Sequence, residues 1–263
     1  HARAQYGGMP ADPTFDRDNL ARIEVMLRAH PISTSLFQGR LFDHTLQPLT
    51  EITIKHSGGT AITLDAAAIG RLFMIPDEAI VTTLKVHAQD DAPAGLDIRS
   101  HSAYVLEGES NSVIVYDSQD GAALWMTGLH INRVMLSSLA PERFTTVAFG
   151  RMAIDAYRLG FRHINLFAAG HGPLDQADDD ALIGYAIWPK FGFDAPVLPA
   201  ELHRFPDARL KHASSVQDII GAVPEWWEQH GSARAMTFDL APHSRSWSIL
   251  LHYLHKTLWE DFP

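Results

Sequence analysis

The sequence predicts an α/β protein with a mixed, largely antiparallel sheet flanked by helices. Three observations lead to this fold class. Short β-rich runs separated by turn residues fill the first half of the chain. A helix pattern between two apolar strand patterns occupies the middle, and amphipathic helices dominate the end. We expect residues 1–200 to form an α/β core and residues 201–263 to form a helical extension packed on that core.

Composition limits the classes of function. The chain has 263 residues, no Cys and a formal net charge of -10. The lack of Cys excludes disulfides, thiolate nucleophiles and Cys-based zinc sites. The negative charge argues against a nucleic-acid partner, because such proteins carry a basic surface. No apolar run is long enough to cross a membrane, so we expect a cytoplasmic protein without a membrane partner. A homodimer is compatible with these features.

The first helix is predicted over Asp16–Ala29, where apolar residues recur at helical spacing before Pro31. A series of short strands follows, and turn residues separate them. We expect a hairpin between Tyr104–Leu106 and Val113–Tyr116. The predicted strands are Glu51–Lys55, Thr60–Leu64, Ile80–His87, Asp97–Leu106 and Ser112–Tyr116.

The middle of the chain alternates between strand and helix. A strand is predicted over His130–Ser138, and Pro141 then opens a helix that Gly160 ends. His163–Ala168 is apolar enough for a central strand. Ile183–Trp188 is predicted as another strand, which Pro189 stops.

The last third is predicted to be mainly helical. Ser214 or Ser215 caps one helix, and Pro224 opens a second. Ala235–Leu240 has the pattern of a strand, and Ser244–Leu258 has that of an amphipathic helix. We expect the four tryptophans of this region to pack these helices on the sheet: Trp226, Trp227, Trp247 and Trp259.

The segment that points most directly to chemistry begins at Arg143. The six residues RFTTVA lie where a strand meets a helix, and they resemble the R/Q-x-x-G-x-G/A signature of the GCN5-related N-acetyltransferase (GNAT) superfamily. The segment YAIWPKFGF, Tyr185–Phe193, is similar to the late Tyr…Gly-Phe part of that fold. The resemblance covers about residues 95–195. It implies a GNAT-like sheet and a soluble acyltransferase that moves an acyl group from acyl-CoA to a small-molecule or peptide amine.

The resemblance also assigns the cofactor contacts. Backbone N–H groups of the loop and of the helix start would bind the pyrophosphate of acyl-CoA, since orphan amides and the helix dipole both favour an anion. The sequence departs from the signature at Thr146, which replaces a glycine that allows close approach. The residues carried over are Arg143, Phe144, Thr145, Thr146, Val147 and Ala148, with Ser137 and Ser138 as further contacts from the preceding strand.

Three residues are candidates for acid–base catalysis. Tyr185 would protonate the leaving thiolate, as the resemblance implies. His130 or Glu107 would take the proton of the amine. His130 and Asn132 lie on one face of a strand by alternation. Each candidate also has a structural interpretation: Tyr185 as a packing residue, Glu107 as a solvated turn residue, and His130 with Asn132 as a polar pair at a sheet edge.

Other kinds of chemistry have weaker support in the sequence. The loop 171–180 is rich in Asp, but it does not fit the EF-hand pattern, so we expect no metal. Asp239, His243 and Ser244 stand too close in sequence to predict a hydrolytic triad, and Asp239 or Ser244 is better read as a helix cap. Two alternatives to an acyl-CoA enzyme stay open: a GNAT-like fold with another acyl or aminoacyl donor, and a non-catalytic or toxin-like effector domain.

Overall fold

A computed structural model gives the fold of the chain over residues 12–55, 61–88, 93–120, 123–176 and 182–259. For residues 55, 117–120 and 123–127 only the backbone is described. The predicted loop residues Asp178, Asp179 and Asp180 lie outside these ranges.

The centre of the fold is a six-stranded sheet, and a separate two-stranded hairpin precedes it. The six strands follow one another in space in their sequence order, β3-β4-β5-β6-β7-β8. Every neighbouring pair is antiparallel except β6 and β7, which are parallel. The hairpin consists of β1 (Glu51–Lys55) and β2 (Ala61–Asp65); the sheet consists of β3 (Ile80–Val86), β4 (Gly95–His101), β5 (Asn111–Asp120), β6 (Ala123–Arg133), β7 (His163–His171) and β8 (Ser232–Asp239).

Helices flank this sheet, and one of the two 15-residue helices provides the connection between the two parallel strands. In chain order they are α1 (Pro13–Phe15), α2 (Ala21–Ala29), α3 (Pro31–Leu36), α4 (Ala66–Leu72), α5 (Phe144–Arg158), α6 (Gly184–Ile187), α7 (Pro199–Arg204), α8 (Val216–Ala222), α9 (Pro224–His230) and α10 (Arg245–Trp259). A π-helical turn over Asp16–Leu20 joins α1 to α2. α5 contacts α2, α3, α4 and α10.

The hydrophobic core lies between one face of the sheet and α5. Strand residues such as Leu129 and Ile164 are fully buried there. On α5, Phe149 is fully buried and meets the rings of Phe193 and Phe238 at centroid distances of 5.2 and 5.6 Å. The other face of the sheet carries the exposed side chains Leu84 and Phe167 together with polar residues such as Asn165 and Thr237. Burial on one face explains why most strands alternate apolar and polar residues.

The predicted fold class is confirmed at the level of a mixed α/β protein whose mostly antiparallel sheet is flanked by helices. The predicted extension, residues 201–263, contributes β8 to this sheet through pairing with β7. It also contributes α10, which packs against α2 and α5.

Three predictions of local structure were wrong. Ile183–Trp188 is not a strand: α6 and a 3₁₀ turn over Trp188–Phe191 replace it. The apolar run was too short to separate strand from helix by its periodicity, and Pro189 fits the start of a helical turn, where its missing N–H is not needed.

The other two errors concern the hairpin partners. β5 pairs with β4, whose last residue is His101, so Tyr104–Leu106 does not form the hairpin. This segment instead pairs with the chain after β6: Leu106 N–H donates to Met135 O at 3.0 Å, and Ser137 N–H donates to Tyr104 O at 2.9 Å. The strand predicted through Ser138 therefore ends at Arg133. Beyond its end, Leu136 forms an isolated β-bridge with Val105.

Replacement of Phe149 by alanine tests the proposed centre of the core. Because the ring is fully buried among four other aromatic rings, Phe149→Ala should lower the free energy of unfolding by about 3–5 kcal/mol. Urea denaturation measures this change. The matched control is Phe167→Ala, whose ring is 61% exposed and whose loss should cost less than about 0.5 kcal/mol. Equal losses in the two variants would contradict the assigned core.

Candidate functional site

The parallel ladder between β6 and β7 is short and ends where the strands still continue. It joins four residue pairs, from Gly128 with His163 to Ile131 with Leu166. β6 then runs on to Arg133 and β7 to His171 without further pairing between them. The carboxyl ends of the two strands are therefore not joined by a ladder. We call this space between residues 132–137 and 167–171 the strand gap.

Outer neighbours hold each side of the strand gap. On the β6 side, the chain past Arg133 pairs with the β4–β5 connection through Leu136 and Val105. On the β7 side, Phe167 and Ala168 stay in register with β8. Backbone pairing thus pulls the two strands toward opposite sides, and the gap follows from the fold rather than from a particular side chain.

The amino end of α5 lies at the same edge of the sheet, because α5 begins shortly after β6 ends. Arg143 precedes the helix in the left-handed region, with φ 71°. No side chain caps this helix end. Phe144 N–H donates to Pro141 O, and Val147 N–H donates to Arg143 O. Within the described part of the chain, the N–H groups of Thr145 and Thr146 make no hydrogen bond. Two donors and the positive end of a 15-residue helix dipole therefore remain for an anion.

The structure separates the predicted cofactor residues into side chains that face the core and those that reach solvent. In the core-facing residues the side chain points away from a ligand, so any contact with a ligand has to come from the backbone. Thr146 is 5% exposed, so its side chain is directed into the protein and not over the helix end. Arg143 and Thr145 are half-buried. The core-facing set is Phe144, Thr146, Val147 and Ala148.

Ser137 and Ser138 belong to the loop between β6 and α5. The Ser137 hydroxyl donates to Ala103 O at 3.1 Å and accepts from Leu139 N–H at 3.3 Å. It therefore ties this loop to the β4–β5 connection. Ser138 is exposed. A cavity near Phe144 and Arg133 has a volume of only about 10 Å³, which suits a single water molecule and not a cofactor.

His130 lies at the closed end of the strand gap, in register with Asn165 of β7. Its ring meets Tyr116 edge to face at 6.1 Å, on the sheet face opposite to α5. Burial lowers the pKa of His130 below its ordinary value of 6.5. The imidazole is therefore neutral at pH 7 and able to accept a proton.

A hydrogen-bonded network that the sequence interpretation missed connects the strand gap to a buried carboxylate. Asn132 Nδ2 donates to Ser112 Oγ at 3.1 Å, and Ser112 Oγ donates to Asp97 Oδ1 at 2.6 Å. Arg99 pairs with Asp97 through Nε and Oδ2 at 2.7 Å. Asp97 is only 3% exposed, so this network fixes the Asn132 amide. The sequence signal was an acid between two apolar strand residues, Leu96 and Ile98.

The other two predicted catalytic residues have different positions. Glu107 is exposed in the turn between β4 and β5, at the same edge of the sheet as the strand gap. Tyr185 is fully buried in α6, and its hydroxyl donates to Glu228 O at 2.9 Å. Burial raises the pKa of Tyr185. The hydroxyl thus has a structural partner, and its catalytic role stays a prediction.

Among the residues that the structure describes, no three His, Asp or Glu side chains converge as a metal site would require. No helix within these residues is long and apolar enough to cross a membrane.

Comparison of the chain with protein-family models, with curated proteins and with solved structures returned no match. The fold and the site thus define a class, a mixed α/β protein with a gap between its two parallel strands, and function has to be inferred from that geometry.

The pKa of His130 can be measured directly. Because the folded state binds this proton less readily than the unfolded chain, protonation favours unfolding, and stability should be lost as the pH falls below about 6.5. An NMR titration of the imidazole should give a pKa below 6.5. His130→Asn should lose less unfolding free energy than the wild type between pH 8 and pH 5. A pKa at or above 6.5 would contradict the burial of this ring.

Proposed function

We propose that the chain is a GNAT-like N-acyltransferase that binds acyl-CoA across the strand gap and transfers its acyl group to an amine. The single observation that carries this proposal is the early end of the β6–β7 ladder beside the uncapped start of α5. In this proposal the extended arm of acyl-CoA lies along the carboxyl ends of the two strands, beyond their ladder, and hydrogen-bonds to their peptide groups. The same edge of the sheet offers N–H donors to a diphosphate.

The departure from the family signature at Thr146 weakens the proposal less than the sequence alone implied. A glycine at this position avoids a side chain between backbone and phosphate. Thr146 is only 5% exposed, so its methyl and hydroxyl groups lie toward the core and not over the start of α5. The phosphate contacts in this proposal are therefore the backbone N–H groups of Thr145 and Thr146.

In the proposed reaction, the amine nitrogen attacks the thioester carbon and the C–S bond then breaks. His130 accepts the proton that the amine loses, because its lowered pKa keeps the imidazole neutral at pH 7. This proton passes through solvent to the departing thiolate, so the products are an amide and free CoA. Asn132 Oδ1, oriented through Ser112 and Asp97, accepts a hydrogen bond from the incoming amine. Glu107 is the alternative base, and Tyr185 the alternative acid.

The substitution Thr145→Asp tests the phosphate site and keeps the helix intact. A carboxylate in the first turn interacts favourably with the helix dipole, so stability should stay equal or rise by about 0.3–1 kcal/mol. The same charge competes with a bound diphosphate, so acetyl-CoA affinity should fall by about tenfold or more. The measurement is the melting temperature with and without acetyl-CoA, because a ligand that binds only the folded state must raise it.

Two controls separate charge from other effects. Thr145→Asn changes size without charge and should weaken binding much less. Thr53→Asp adds the same charge on the remote strand β1 and should leave binding unchanged. No shift of the wild-type melting temperature with any acyl-CoA would overturn the proposal and favour another donor or a non-catalytic role.

A further inference from the structure

A second cleft lies on the outer side of β8, and the strand gap does not reach it. The chain after α6 pairs with this outer edge: Asp194 N–H donates to Thr237 O at 3.0 Å, and Thr237 N–H donates back to Asp194 O at 2.9 Å. Pro196 then pairs with Ser215, just before α8. The start of α10 closes one end. The open cleft that results has a volume of about 400 Å³, within the range of small-molecule sites.

Gln217 contributes a fixed hydrogen-bond acceptor to this cleft. The residue is 5% exposed. Its Nε2 donates to both Pro189 O and Phe193 O at 2.8 Å, which uses both amide hydrogens. The amide cannot flip, because two carbonyl oxygens require donors on that side. Oε1 lines the cleft without a hydrogen bond from any described residue. With both amide hydrogens used inside the protein, Oε1 is the side-chain atom of Gln217 that can accept a hydrogen bond from a ligand.

Two carboxylates offer further acceptors at the same cleft. Asp194 Oδ1 accepts from the N–H groups of Ala195 and Gln217 at 2.8 and 3.0 Å. Asp239 Oδ1 accepts from Ala241 N–H at 2.9 Å. The Oδ2 atoms of both aspartates receive no hydrogen bond within the described ranges. The backbone contacts hold each carboxyl group in place and leave one oxygen for a ligand.

Arg245, the arginine that lines the cleft, already has a partner. Arg245 Nη1 donates to Asp218 Oδ1 at 2.7 Å, so its charge is matched by a carboxylate that does not line the cleft. The first turn of α10 is capped by Ser244, whose Oγ accepts from Trp247 N–H at 3.4 Å. Asp194 and Asp239 therefore leave the cleft acceptor-rich and negative, which favours a cation with several N–H donors.

We propose that this cleft binds a small organic cation through its primary ammonium group, which offers three donors to the free oxygens of Asp194, Asp239 and Gln217. The ammonium group can belong to a free alkyl amine or to a lysine side chain. The proposal is independent of acyl transfer. β8 runs antiparallel to β7, so Asp239 lies opposite His163, at the end of the sheet away from the strand gap.

Isothermal titration calorimetry at 150 mM salt tests the assignment, because salt at this concentration screens long-range attraction to the negatively charged protein. The probes are 1,5-diaminopentane for a free amine and Nα-acetyl-lysine amide for a lysine side chain, with 1,5-pentanediol and glutarate as neutral and anionic controls. Saturable one-to-one binding of either ammonium compound, at least tenfold tighter than that of both controls, is expected. The tighter of the two ammonium compounds identifies the source.

Two variants locate the binding. Asp239→Asn and Asp194→Asn each keep an Oδ1 acceptor for the backbone and place N–H donors where the cation's own donors point. Each should weaken amine binding by about tenfold. Glu51→Gln removes one charge at the exposed start of β1 and should leave binding unchanged. Melting temperatures verify folding of all three variants.

The result that would overturn the proposal is equally specific. Failure of both ammonium compounds to saturate, equal binding of pentanediol, or preferred binding of glutarate would exclude an ammonium site. Equal weakening in Glu51→Gln would mean that amines bind through net charge alone. Acetyl-CoA binding, measured separately by melting temperature, should be unchanged in Asp239→Asn, so failure of this proposal is distinguishable from failure of the acyltransferase proposal.

Discussion

The four-residue parallel ladder between β6 and β7 is the constraint on which the rest of the structure depends. Parallel strands need a crossover connection, and here α5 provides it. The crossover must bury its apolar side against the sheet, which places Phe149 at the centre of the core. Because α5 begins shortly after β6 ends, its amino end lies at that same edge of the sheet. A helix amino end beside two strand ends is therefore a consequence of topology.

The strand gap follows from the same arrangement. Beyond Ile131 the backbone on the β6 side finds its partner in Val105–Leu106, while β7 keeps its partner in β8. These outer pairings fix the backbone on both sides of the gap before a ligand arrives. This pre-organisation separates the gap from an ordinary frayed sheet edge, where the unpaired groups have no fixed geometry.

The sequence was informative where local patterns and tertiary packing agree. β1 was predicted with its exact limits, and α5, β7 and α10 were predicted to within a few residues, because each has a strong apolar period. It failed where long-range pairing decides the structure. Nothing local tells Tyr104–Leu106 to pair with the chain after β6, and nothing local shows that Ile183–Trp188 turns into a helix. The Asp97–Ser112–Asn132 network escaped for the same reason, since its three residues come from three different strands.

β8 connects the two proposed sites through its two edges. Its inner edge pairs with β7 and keeps one side of the strand gap in position, while its outer edge pairs with Asp194 and forms a wall of the cleft. The Thr237 side chain also belongs to the inner edge, since its hydroxyl donates to Asn165 of β7 at 2.9 Å.

The two proposed sites also differ in the sign of the ligand charge that they favour. The start of α5 offers backbone donors to an anion, whereas the cleft offers carboxylate and amide acceptors to a cation. With a formal net charge of -10, a cation is attracted at long range, whereas an anionic cofactor must gain its affinity from short-range contacts. The proposed binding at the strand gap thus depends on backbone geometry at Thr145 and Thr146, and the proposed binding at the cleft depends on the two aspartates.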